Sequence, residues 1–458
     1  MNSLTSRHRK IIFALGILVL LMPIVYLGLP LSEDVQPGSK LEVTGGKLAE
    51  MRHEQQLGES TIGNIDPSSA AANLMLLGLR GMAASVLHQN AIEFQEKKDW
   101  GKLKVTVESI LLLQPHYIEV WKFQGWNLAF NVSREWDRVD DRFYWVKEGL
   151  KFLQNGTLRN QTATILFHNV GDFTGRKIGN SDEKKYFRKF FRSDPNEEKF
   201  GGGADPEINE NGEDNYIVAR EWMLTANELD EIYPVKGITR EIFRKGPVQA
   251  LFDFAGAATE EGEFEKAKDA WSEANNEWLN VYGNEIFEIE NGLTYKLNCT
   301  AEEMEEMAIQ NGITTTLQRL LTDRRVKMVN YKFWQEMSNC EQDPVTVAAR
   351  KAIYAGKQAY MDGDIYSGID TEGNQRISKA QESFEEGIAK YAEMLERHPS
   401  VINHDNTILT GMLAVLYWNE IHKLNGTSPP ADYPLASFML KNRMYQRDVE
   451  TRFQRETN

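Results

Sequence analysis

The residues from 199 to 215 read KFGGGADPEINENGEDN, in which Glu207, Asn209, Asn211 and Gly212 alternate in the manner of a Ca²⁺-binding loop. Oxygen ligands at every second residue can face one ion. The carboxylate that closes such a loop is missing, because Val218 occupies its place, so a solvated linker is the better reading. The acids Asp362, Asp364 and Asp370 fail for similar reasons. Glu302, Glu303, Glu305 and Glu306 are the kind of carboxylates that cleave glycosides in facing pairs. On a helix they spread over several faces, which is a solvated surface. Eight histidines are scattered without an HExxH or HxxxH pair, so zinc has no sequence support. His88, His116 and His168 lie beside apolar helical residues and read as hydrogen-bonded core or edge histidines. No G-x-S-x-G elbow, P-loop or dinucleotide fingerprint is present. GGGADP has neither a Lys-Ser/Thr pair nor a strand–helix frame around it. No catalytic, metal or cofactor-binding residues are assigned, and the expectation is that the chain is not an enzyme and carries no cofactor.

Aromatic residues offer a different chemistry. Trp121, Phe123, Trp126, Phe130, Trp136, Phe143 and Trp145 crowd one short stretch. Most such rings pack between helices, and Trp121 is expected in the core. Phe123, Trp126, Trp136 and Trp145 are the candidates for contact with another protein, because large aromatic side chains dominate interface energetics.

Composition bounds the elements that hold these residues. The 458-residue chain is 41% hydrophobic and 26% charged, which is globular rather than disordered. Its formal charge of −15, without a dense Lys/Arg stripe beyond the N-terminus, disfavours nucleic acid. Cys299 and Cys340 provide no disulfide framework and no metal spacing; they read as structural thiols, with a single bridge left open. The sequons at Asn131, Asn155, Asn160, Asn298 and Asn425 are read as chance.

Residues 11–29, IIFALGILVLLMPIVYLGL, form an uncharged apolar run. As a helix it rises ~28 Å, close to the hydrocarbon thickness of a bilayer. Arg7, Arg9 and Lys10 precede it and Glu33 and Asp34 follow, which puts residues 1–10 in the cytoplasm and the body outside. No A-x-A site marks cleavage, so an uncleaved transmembrane anchor is expected, with the lipid bilayer as its partner through residues 11–29. Residues 30–69 read as a polar stalk.

Beyond the stalk, helical periodicity prevails. Leu251, Phe254, Ala255 and Ala258 line one face of a helix, Gly262 ends it, and Ala267, Trp271 and Ala274 mark a second helix. Small residues at a crossing with large ones beside them suit an antiparallel hairpin. This pattern, Gly262, Phe264, Ala267, Trp271 and Ala274, resembles a tetratricopeptide repeat. A second match runs through Ala352, Ala355, Gly356 and Ala359, then Ala380, Phe384 and Gly387, with an enlarged loop DIYSGIDTEGNQR. A third has Leu87 and Ala91 on a first helix, Pro115 closing a helix, then Trp121 and Gly125, an interruption at 131–140 and a partner helix at 144–153. Helical pieces at 162–177, 216–232, 315–337 and 406–424 follow the plan less closely. The segments LGLRGMAASVLHQNAIEFQEKKDW and LQPHYIEVWKFQGWNLAFNVSREW, within about 77–177, also resemble a family of membrane-anchored helical-repeat proteins from planctomycete-type bacteria. That resemblance implies location and architecture but no activity.

The expected fold is all-α, a tetratricopeptide-like helical-hairpin superhelix after one transmembrane helix. Its repeat regions are expected at 70–198 and 216–441, separated by the acidic Gly-rich loop at 199–215, with a polar tail at 442–458. The implied function is a membrane-anchored protein-protein interaction scaffold of the bacterial cell envelope, the body lying on the periplasmic side of the inner membrane and the protein partner unnamed. A permanent noncatalytic subunit of an envelope membrane complex is the alternative; an envelope enzyme, such as a glycan-cleaving hydrolase, ranks third.

Overall fold

Helices form where apolar residues recur at steps of three and four and a short polar side chain precedes them. Asp99, Asp214, Thr300, Thr314, Asp343 and Ser378 each accept a backbone N–H from the helix they open. These caps satisfy donors that would otherwise lack partners. The computed structural model describes residues 80–457 except 236, 290 and 370–374, together with residues 15, 16, 19, 22, 32, 33, 43 and 44. The expected span at 11–29 and the stalk at 30–69 thus lie, apart from those few residues, outside the described residues. Among the described residues no helix is long and apolar enough to cross a membrane. Within the stalk, β1 (Ser32–Glu33) pairs antiparallel with β2 (Val43–Thr44).

The chain is all-α in character and divides into two compact units, Met1–Lys236 and Gly237–Asn458. In the first, α1 (Arg80–Glu96) and α2 (Trp100–Leu113) form a hairpin whose turn bends at Lys98, φ 54°. Ala84, Ala91, Leu103, Val107 and Ile110 close the space between them. Pro115 follows α2, and its carbonyl accepts the indole N–H of Trp121 at 2.9 Å. Trp121 is buried, at 4% exposure, on α3 (Ile118–Trp126).

The interruption expected at 131–140 begins as continuous helix. The chain leaves α3 through a π turn (Asn127–Asn131) and a 3₁₀ turn (Val132–Glu135) before entering α4 (Val139–Arg159), longer than the partner helix expected at 144–153. The two helices cross closely because glycine lies on both sides. A Cβ on Gly149 would stand 2.7 Å from the Gly125 carbonyl oxygen, and one on Gly156 would stand 3.1 Å from the Trp121 ring. The core of this region takes in Phe143, Val146, Leu150 and Leu153, each burial of this size contributing about 1.5–3 kcal/mol. Next come α5 (Thr164–Asp172) with its π turn (Phe173–Lys177), α6 (Lys184–Arg192), the short α7 (Glu197–Phe200) and α8 (Asn215–Ile232), which packs on α5.

The second unit opens with α9 (Arg240–Arg244), then the hairpin of α10 (Gly246–Glu261) and α11 (Phe264–Glu277). Leu251, Phe254, Ala255, Ala258, Ala267, Trp271 and Ala274 are all buried, as their spacing implies. Gly262 turns the chain at φ 83°, a left-handed conformation that favours glycine at a helix C-terminus. A two-stranded ribbon, β3 (Phe287–Glu288) with β4 (Thr294–Tyr295), precedes α12 (Ala301–Gln310). The helix expected at 315–337 is two helices, α13 (Thr315–Met328) and α14 (Tyr331–Glu341). Asn330 takes a left-handed φ of 56° between them, a conformation Asn tolerates better than most residues.

α15 (Pro344–Met361) and α16 (Lys379–Arg397) form the second hairpin, and their enlarged loop carries β5 (Gly368–Ile369) paired with β6 (Gln375–Arg376). A Cβ on Gly356 would fall 2.9 Å from the Phe384 ring, and one on Gly387 would fall 2.8 Å from Ile353. α17 (Asp405–Leu424) covers α16 and is followed by α18 (Ala436–Lys441) and α19 (Gln446–Thr457).

The division falls between residues 236 and 237, whereas the acidic loop at 199–215 belongs to the first unit, where buried cations hold its carboxylates. The polar tail at 442–458 is largely helical and docked. Val449 is buried, and the Glu456 carboxylate pairs with Lys357 at 2.8 Å and accepts the Tyr417 hydroxyl at 3.1 Å. Val449, Phe453 and Glu456, at steps of four and three, are enough to seat a helix whose composition is almost wholly polar.

The crossing of α3 and α4 tolerates no added atom, since what a Gly149 side chain would meet is chiefly backbone. Gly149→Ala is expected to lower the urea-unfolding free energy by about 1–3 kcal/mol. Gly101→Ala, on an open surface, should change it little.

Candidate functional site

α4 positions most of the charged residues of interest. Lys147 and Lys151, one turn apart, point at two buried aspartates. The Lys147 ammonium lies 2.5 Å from Asp194 and 3.0 Å from Asp205; Lys151 lies 2.8 Å from Asp205 and 3.0 Å from Glu207. Asp194 also accepts the backbone N–H of Asn196, and Asp205 that of Glu207. Burial raises the Asp205 carboxyl pKa, but hydrogen bonds from Lys151 and Lys147 outweigh it and hold the group below its ordinary range. Arg188 closes the far end of the loop, binding Asp214 at 2.9 Å and the Asn215 side chain at 2.7 Å.

The loop read as a solvated linker instead uses several of its oxygens within the fold. Glu207 goes to Lys151. The amide of Asn209 donates to the Phe191 and Glu213 carbonyls, and its oxygen accepts the Glu213 N–H. Asp364 accepts the Lys379 N–H, while Asp370 lies outside the described residues. Glu303 belongs to a capping box with Thr300 and pairs with Lys296; Glu302, Glu305 and Glu306 are exposed. Among the described residues no group of three or more His, Cys, Asp and Glu is placed to hold a metal.

The histidines take packing roles. His88 sits against Tyr117 and Phe123, and His116 is hydrogen-bonded to Asn160 at 2.9 Å. Burial lowers the pKa of His168. Both cysteines are free thiols. Cys340 is buried beside the Thr346 hydroxyl at 3.6 Å, and burial pushes its pKa up to about 12.

The four aromatic candidates separate. Phe123 is partly buried in the α1–α2 core. Trp126, 44% exposed, stacks on Phe130 at 5.7 Å. Trp136, 43% exposed, stacks on Trp145 at 6.2 Å, and Tyr144 stands edge-on to Trp145 at 5.4 Å. Trp136 and Trp145 are thus brought together, and Trp126 joins Phe130 instead.

Phe130 also lines an open cavity of about 690 Å³ that spacing in the sequence did not disclose. Its walls carry Arg134, Arg142, Arg176 and Lys177, with Ser181, Asp182 and Glu183 among the remaining polar groups. Arg142 pairs with Glu183 at 2.5 Å and also donates to the Trp136 carbonyl, so this wall adjoins the Trp136 pair. Arg176 pairs with Asp172 at 3.2 Å. Lys177, only 6% exposed, makes no ion pair among the described residues; its ammonium lies 4.9 Å from the Phe130 ring centre and 5.9 Å from that of Phe187. Burial depresses the Lys177 pKa, with nearby Glu183 acting in the opposite direction. The only trace in the sequence was the pair Arg176-Lys177 at the end of an apolar helix.

No protein-family model, curated protein or solved structure matches the chain.

The Lys147–Asp205 cluster makes two predictions. Asp205→Ala leaves Lys147 with Asp194 alone and Lys151 with the exposed Glu207, and should cost about 3–5 kcal/mol, read from urea denaturation. Asp205 titrates at lower pH folded than unfolded, so its contribution is present above the unfolded value of about 4 and is lost as pH falls through the folded one. Unfolding free energy measured from pH 6 down to 2 should therefore decline below about pH 4, with a shallower decline in Asp205→Asn.

Proposed function

We propose that the protein is a membrane-anchored scaffold of the bacterial cell envelope that binds another protein through its helical-repeat surface. The single observation that carries this reading is the pair of half-exposed aromatic stacks, Trp126 on Phe130 and Trp136 on Trp145, raised from the α3–α4 region. The sequence offers many rings, and the first unit buries Trp121, Phe143, Phe187 and Phe191 almost completely. Leaving two tryptophans over two-fifths exposed forgoes stabilisation that burial would supply, and such rings are the usual anchors of protein interfaces.

The tetratricopeptide-like plan supports the same reading. Helical hairpins such as α10–α11 and α15–α16 stack into surfaces that display side chains from successive repeats. The apolar run at 11–29 supports tethering, with the body outside the cytoplasm.

Crosslinking in intact membranes, with mass spectrometry of what is captured, tests this. Trp126→Ala and Trp136→Ala should each reduce capture of a stoichiometric partner about tenfold or more, as loss of an interface anchor worth about 2 kcal/mol requires. Capture unchanged by both substitutions would remove the basis for the reading. Deleting residues 1–29 should move the protein from the membrane to the soluble fraction; retention there would remove the tether.

A further inference from the structure

The geometry points to a binding site for a phosphate group in the cavity beside Phe130, with Lys177 and Arg134 as its cationic ligands. This inference is independent of the scaffolding reading.

The cavity volume of about 690 Å³ falls within the range of small-molecule sites. Four cationic side chains line it against two acidic ones. Two of the cations are already neutralised, Arg142 by Glu183 and Arg176 by Asp172. Arg134, exposed at the rim, and Lys177, buried in the wall, make no ion pair with any described residue. A buried ammonium is costly unless paired. Lys147, in the same unit and equally buried, has two aspartates within 3.0 Å. At Lys177 aromatic rings take that place, and cation–π contact returns only part of what a carboxylate or phosphate supplies.

The Ser181 hydroxyl adds an independent observation. It is buried without a hydrogen-bond partner and belongs to a residue lining the same cavity. A buried hydroxyl donor, a compact ammonium and a planar guanidinium together suit an oxyanion with several acceptor oxygens. Asp182, exposed at the rim, opposes an anion and sets a limit on affinity.

The test is thermal unfolding of the full-length protein in an uncharged detergent, titrated with inorganic phosphate against chloride at matched ionic strength. Phosphate is expected to raise Tm by about 2–4 °C beyond chloride at saturating concentrations. Lys177→Met, which keeps the stem and removes the charge, should unfold no earlier than the wild type and lose the phosphate-dependent rise. Arg134→Gln lies at the exposed rim and should weaken phosphate about tenfold without changing Tm in chloride; Asp182→Asn should tighten it. Two soluble probes separate the sources of the group. Protection by glycerol 3-phosphate marks a free monoester, and protection by glycerophosphoglycerol marks a lipid headgroup. A Tm rise no greater in phosphate than in chloride, or one that survives both Lys177→Met and Arg134→Gln, overturns the assignment.

Discussion

Close approach of helix backbones is the constraint on which both units depend. An all-α body must bring helices near enough for their side chains to interdigitate, and here that is achieved by omitting side chains where the axes cross. Gly125 and Gly149 meet backbone to backbone; Gly156 admits the Trp121 ring, Gly356 the Phe384 ring and Gly411 the Tyr391 ring. In each of the last three pairs a bulky aromatic residue on one helix is matched by a missing Cβ on the other, so the ring is sealed without a void. The hairpins are consequently stiff at their centres, and variation is left to their ends. There the chain accommodates π turns, an enlarged loop between α15 and α16 and a left-handed Asn330.

Buried charge is the second theme, and the same residue type meets two fates in the first unit. Lys147 is surrounded by acids from segments distant in sequence, and the cluster draws the acidic loop into the fold. Lys177 has rings where carboxylates would be. The contrast matters because both lysines are buried: one has its countercharge built in, and the other faces a cavity. Around that cavity the exposed tryptophans, the unpaired cations and the π turn ending at Lys177 fall on neighbouring elements. π turns are found preferentially at functional sites, in keeping with that grouping.

Much of the architecture was legible locally. The hairpin at α10–α11 followed from Leu251, Phe254, Ala255 and Ala258 and from Gly262, because a helical face and a left-handed turn depend on near neighbours alone. Trp121 was read as core from its distance to Pro115, and its indole bonds the Pro115 carbonyl. The docking of α19 was not legible: Val449 and Phe453 recur at a helical step, but among so many charged residues they do not show that the helix packs against Tyr417 and pairs with Lys357, 99 residues away. Nor was the membership of the acidic loop, since a Gly-rich, charged segment looks the same whether solvent or Lys147 neutralises it. Phe123, Trp126, Trp136 and Trp145 were identified by type, but which of them meet depends on the π and 3₁₀ turns after α3. Those turns shift the side-chain phase by an amount that a regular 3.6-residue period does not contain.

The sequence by itself determined the helical character, the principal hairpins and the apolar N-terminal run, all of which rest on the order of residues within a few turns. Tertiary structure alone decided which lysine is neutralised, which tryptophans remain exposed, and where the cavity lies. Those outcomes are set by distances between segments tens of residues apart, and electrostatic and packing energies depend on such distances rather than on residue type.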